Sequence, residues 1–85
     1  MPEISRFLGM VIFMNFNDHN PPHFHVMYGD YHVTVEIQTG VVEGKFPKRA
    51  LALILEWYEQ HREELLDNWN AIKSDGTFRK IQPLE

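Results

Sequence analysis

The chain has 85 residues, no cysteine and a formal net charge of −4. That length gives one domain with a marginal core of its own. The missing cysteines exclude disulfide staples and thiolate zinc sites, so added support must come from a partner subunit or from a metal held by histidine and carboxylate. The acidic balance argues against a broad electrostatic face for nucleic acid.

The opening Met-Pro-Glu-Ile-Ser-Arg lacks a charged-then-apolar leader pattern, and the longest apolar run, Met10–Met14, is too short to span a bilayer. The expectation is a cytoplasmic protein without membrane contact. Ile4–Leu8 and Met10–Phe16 read as two short strands, or as one strand bent at Gly9. Val11–Met14 has no polar face, which predicts a buried central strand. Asn17–Pro22 is a loop stiffened by Pro21 and Pro22.

His23–Tyr28 and Tyr31–Gln38 form the clearest hairpin, turned by Gly29-Asp30. With those two residues as the loop, Tyr28 pairs with Tyr31, Met27 with His32, Val26 with Val33, His25 with Thr34, Phe24 with Val35 and His23 with Glu36. Alternation then assigns Phe24, Val26, Tyr28, Tyr31, Val33, Val35 and Ile37 to a core face. The opposite face carries His23, His25, Met27, His32, Thr34, Glu36 and Gln38.

Thr39-Gly40 is the next turn and Val41–Phe46 a return strand. Pro47 suits the first position of a helix. Leu51, Ile54, Leu55, Tyr58, Leu65, Leu66, Trp69 and Ile72 then recur at helical spacing. The phase holds across His61-Arg62, which slightly favours one long helix, bent if interrupted, over two helices. The pattern alone admits both. Trp57 and Trp69 read as packing residues, and part of the bulky stripe is available to pair with a second copy. Gly76 suits a C-cap. Phe78–Ile81 forms an edge strand or lies against the sheet.

The predicted architecture is α+β, in a single domain over 1–85. An antiparallel meander of four to five strands over 1–46 precedes one long helix or a helix pair over 47–73, packed on one face of the sheet. Residues 74–85 form the tail.

The histidine face holds the concentrated chemistry. His23, His25, His32 and Glu36 are candidate ligands for a divalent metal, zinc or nickel, with Asp18 or His19 folding over from the loop. Asp18, His19 and Glu36 are candidate acid–base groups. A histidine–glutamate hydrogen bond across the strands satisfies the same face without metal. Lys48 and Arg49, with Lys45, stand at the helix start, where cations oppose the helix dipole. They read as solvated residues or as a contact for an anion or partner.

The blocks Met1–Phe7, Phe16–Val26, Gly40–Leu51 and His61–Trp69 together resemble a widespread prokaryotic family known as a domain of unknown function. Its hallmark is Phe-x-Asp-His-x-Pro-Pro-His-Phe-His-Val, here Phe16–Val26. Phe46 departs from the family pattern, where leucine is common before the proline. The resemblance implies a small protein-binding module, one component of a toxin–antitoxin-like gene pair, with a small partner protein encoded nearby. The alternative is a metal-dependent hydrolase or nuclease that uses the histidine face.

Overall fold

Two-residue turns set the sheet. In the computed structural model, which describes residues 2–84, Leu8-Gly9 and Gly29-Asp30 each reverse the chain between paired strands. Leu8 and Gly9 both take positive φ, 51° and 80°, the backbone a mirror-image hairpin turn requires. Leu8 bears that conformation with its side chain in solvent. The N-terminal segment is therefore two strands rather than one bent strand.

The elements run β1 (Glu3–Phe7), β2 (Met10–Phe13), β3 (His23–Tyr28), β4 (Tyr31–Glu36), β5 (Val42–Lys45), α1 (Lys48–Gln60) and α2 (Arg62–Asp75). The strands form one antiparallel sheet in the order β1-β2-β3-β4-β5. All six hairpin pairs predicted from the Gly29-Asp30 turn occur. β2 is an interior strand with a neighbour on each side, though β3 and not β2 is the central one, and it stops at Phe13 rather than Phe16.

The register carries residues across the sheet in rows. Ile12, Val26 and Val33 make one row on the core face. Phe13, His25, Thr34 and Glu43 make a row on the other. The core face buries Phe24, Val26, Val33, Val35 and Ile37 against Ile54, Trp57 and Tyr58. Phe24 meets the Trp57 ring edge-on at 5.8 Å. Tyr31, expected in this core, is 47% exposed. It occupies the last pair before the turn, at the rim of the sheet, and touches the Phe46 ring at 6.3 Å.

The helical part is two helices, broken at His61, whose φ of −128° and ψ of 24° leave the helical region. His61 Nδ1 binds Glu64 Oε1 at 2.6 Å, and Arg62 donates to the Gln38 carbonyl at 2.9 Å. Apolar spacing could not report this break because it leaves the buried stripe in phase. Pro47 precedes α1 as its N-cap rather than opening its first turn. Gly76 ends α2 at φ 80°, where a left-handed residue needs no Cβ.

Among the described residues the tail adds no strand, but it is tied down. Ile81 N–H donates to the Ile4 carbonyl at 2.9 Å. Buried Asn68 clamps Arg79 by giving a hydrogen bond to its carbonyl and taking one from its N–H, each at 2.8 Å. Trp57 Nε1–H donates to Gln82 at 2.8 Å. Among the described residues, no helix is long and apolar enough to cross a membrane.

Candidate functional site

The polar face of the sheet presents His23 and His25 two residues apart on β3, with His32 on β4. Strand alternation alone brings these three rings to one side. Phe13, next to His25 in the register, lies flat on its ring at 4.9 Å with an interplanar angle of 11°. His32 meets the edge of the His25 ring, with centroids 5.2 Å apart. His25 thus has one ring on its face and another at its edge, and it is only 9% exposed.

The loop after β2 brings the carboxylate. Asp18 N–H donates to the Asn15 carbonyl, and Asn15 N–H donates to Asp18 Oδ2, each at 3.3 Å. This closed turn points the Asp18 side chain at the strands. Lys73 of α2 secures the loop from behind by donating to the Phe16 carbonyl at 3.2 Å and also to the Asp18 carbonyl. Its ammonium lies 4.7 Å from the Trp69 ring, which touches the His23 ring at 5.2 Å.

Asp18 Oδ2 lies 2.8 Å from His25 Nε2 and 3.4 Å from His23 Nε2. The nitrogens on the far side of the rings are engaged as well. His23 Nδ1 lies 2.9 Å from the Pro21 carbonyl, and His25 Nδ1 lies 2.9 Å from His32 Nε2. Burial pushes Asp18 up, but the His25 hydrogen bond, the fields of His25 and His23 and the Asn15 N–H together hold it below the usual carboxylate range. Burial pushes His25 below the usual histidine range, against the upward pull of Asp18. Charge on His23 or His32 adds to the downward push. The preferred state is an Asp18 carboxylate beside a neutral His25 ring.

Asp18, His23 and His25 form a group whose ligand atoms all lie within 4.8 Å of one another. His32 contacts the group only through His25. Glu36 faces His23 in the register, yet its carboxylate accepts from the Thr39 hydroxyl at 2.7 Å. Glu36 and His19 instead line a shallow groove of about 250 Å³ beside His23, with Thr34 and Glu43. Lys48 and Arg49 are exposed in the first turn of α1 and take no part in the group. Asn15, Trp69 and Lys73 were not legible as neighbours of the site. Trp69 reads as core, and Lys73 is a distant cation whose partners are backbone carbonyls.

A five-stranded antiparallel meander backed by two helices, with an Asp–His–His group on its open face, defines the class as a small α+β domain. The chain belongs to the family described as Domain of unknown function (DUF4160), whose profile matches residues 9–70. That stretch contains the Phe16–Val26, Gly40–Leu51 and His61–Trp69 blocks, together with every member of the group. No curated protein and no solved structure matches the chain.

Proposed function

We propose that this domain is a divalent-metal-dependent hydrolase whose centre is Asp18, His23 and His25. One observation carries this reading: the nitrogen of each imidazole that faces away from Asp18 already has a partner. Pro21 offers only a carbonyl oxygen, so His23 must donate to it from Nδ1. With the ring neutral, this leaves a lone pair on Nε2, 3.4 Å from an Asp18 oxygen that also only accepts. Two acceptors aimed at each other need a proton or a cation between them. Outer partners that fix ring orientation, with the inner nitrogens converging on a carboxylate, are the usual surroundings of histidine metal ligands.

Two histidines and one carboxylate suit zinc or nickel, and three protein ligands are the set found where a metal site stays open for catalysis. The ion, when bound, supplies a Lewis acid that activates water and stabilises a developing oxyanion, as phosphoester hydrolysis requires. The chain's own residues hold and orient it. Glu36 and His19 share the adjoining groove with His23, and either can take up a proton there. The test is elemental analysis of the purified protein with zinc and nickel titrations of wild type and of His23→Ala/His25→Ala. One ion per wild-type chain and none in the double variant is the expected result. Absence of stoichiometric metal, with no thermal shift on adding it, refutes the centre.

The same domain is proposed to act within a toxin–antitoxin-like gene pair through a small partner protein. Support comes from the sheet edge beside the group: among the described residues, β5 has no strand beyond it. Co-expression with the adjacent gene product should give one peak in size-exclusion chromatography, at a mass that also reports any self-pairing. Separate elution at micromolar concentration counts against the partnership.

A further inference from the structure

His25 Nδ1 and His32 Nε2 lie 2.9 Å apart, and one proton between them makes the bond. Which ring supplies it depends on what His25 does on its other side. Without an ion, His25 Nε2 lies 2.8 Å from the Asp18 carboxylate, which can only accept. His25 therefore carries its proton on Nε2, its Nδ1 is a lone pair, and His32 donates from Nε2. An ion on His25 Nε2 needs the lone pair there instead. The His25 proton must then sit on Nδ1, and His32 Nε2 must accept it.

We infer that the His25–His32 hydrogen bond reverses direction when a divalent ion binds, and that His32 is the positioning residue that lets His25 become a ligand. This rests on the metal centre proposed above. The geometry favours reversal over rotation. Phe13 lies on one face of the His25 ring, both ring nitrogens already have partners, and the residue is 9% exposed, so turning the ring over would break both contacts inside a packed site. Among the described residues, His32 is the one hydrogen-bond partner of His25 Nδ1. His32 is exposed, so its remaining nitrogen can exchange a proton with water. Both rings change tautomer, neither changes charge, and the 2.9 Å separation of His25 Nδ1 and His32 Nε2 suits either direction. Without His32, the ion-bound state would bury an unpaired N–H on His25. Loss of an outer partner of this kind weakens metal binding by about 10–100-fold.

The experiment uses the full chain labelled with ¹⁵N in histidine, with long-range proton–nitrogen spectra recorded without and with one equivalent of zinc. Zinc affinity is then measured for wild type, His32→Phe and His32→Gln. Ion-free His25 and His32 should both be protonated on Nε2, and zinc should move both protons to Nδ1. His32→Phe keeps a ring beside His25 but cannot accept, and it should bind zinc about 10–100-fold more weakly. His32→Gln offers an amide oxygen and should recover most of the affinity. His25 already protonated on Nδ1 without zinc, or His32→Phe binding zinc as tightly as wild type, overturns the inference. Zinc taken up with the protons unmoved overturns the reversal alone. Zinc that leaves both His23 and His25 unshifted overturns the metal centre itself. The wild-type spectra decide the reversal even if His32→Phe fails to fold.

Discussion

Asp18→Asn separates what the carboxylate does for the fold from what it does for an ion. The substitution keeps the volume and one acceptor oxygen and removes the charge. Asp18 accepts from His25 Nε2 at 2.8 Å and from Asn15 N–H at 3.3 Å. A hydrogen bond to a charged group contributes about 1.5–3 kcal/mol and a neutral one about 1 kcal/mol. The difference for the short His25 bond is about 1 kcal/mol, lowered by water around a side chain that is 19% exposed. All three contacts use Oδ2, so the amide keeps His25 and Asn15 only by placing its oxygen there, and His23 Nε2 still faces an acceptor at 3.4 Å. The expected net loss without metal is about 0.5–1 kcal/mol, or roughly 2–8 °C in melting temperature for a domain of this size. Zinc at a hundredfold excess over its Kd stabilises a one-site protein by about 2.7 kcal/mol. Wild type should show that gain, and Asp18→Asn, with a neutral ligand in place of the carboxylate, should show almost none. Thermal melts in chelator and in zinc measure both numbers. An equal zinc shift in the two proteins would sink the assignment of Asp18 as a ligand. A loss above about 3 kcal/mol in chelator would instead make Asp18 a fold-bearing group, beyond what its hydrogen bonds account for.

Glu36 is bonded to Thr39 and lies outside the Asp18 group. Glu36→Gln should therefore leave zinc affinity within about twofold of wild type, since no inner or outer partner is lost; a tenfold loss by titration calorimetry would put Glu36 back among the ligands. Tyr58 is buried and donates to the Ile37 carbonyl at 2.6 Å. Tyr58→Phe should cost about 1–3 kcal/mol in urea denaturation because it leaves that carbonyl unpaired. Burial raises the Tyr58 pKa above its ordinary value, outweighing the opposing field of Arg62. Its neutral form thus stabilises the fold fully below about pH 10, and the contribution fades as pH climbs through the raised value. The stability gap between wild type and Tyr58→Phe should narrow above about pH 10; a gap that widens there contradicts the direction of the shift. At Gly44, φ is +114° and an added Cβ would stand 2.5 Å from the His32 carbonyl oxygen, a backbone atom with little room to retreat. Gly44→Ala should cost more than about 1 kcal/mol. An unchanged denaturation midpoint would show that β5 yields more easily than its pairing suggests.

The hairpin was legible because one local fact, a two-residue turn at Gly29-Asp30, fixes six pairs, and alternation then fixes the faces. Three of the imidazoles follow from that alone. The helix break at His61 was not legible, because its cause lies off the buried stripe, in the Glu64 contact and in the reach of Arg62 to Gln38. The tail was legible only as two options, since Asn68 clamps Arg79 through a side-chain amide that no periodicity encodes.

The site itself divides along the same line between local and distant causes. Register places Glu36 opposite His23, so a reading of the strands puts that carboxylate in the group. A nearer partner takes it: Thr39, three residues on, is already brought within 2.7 Å by the turn at Thr39-Gly40. The carboxylate that does reach the histidines is Asp18, and two contacts deliver it. One is local, the turn closed by Asn15. The other is Lys73, 55 positions away, which holds the loop carbonyls from the last turn of α2. Position along the helix explains why a lysine is favourable there, since cations suit helix C-termini; only the docked helix explains which carbonyls it finds. The rings of the group therefore depend on strand register, and its charge depends on the docking of α2. Loosening α2 should release Asp18 and the Trp69 contact on His23 while leaving His25 and His32 held by the strands, so the one member of the group that carries negative charge is also among those most exposed to a change in the helices.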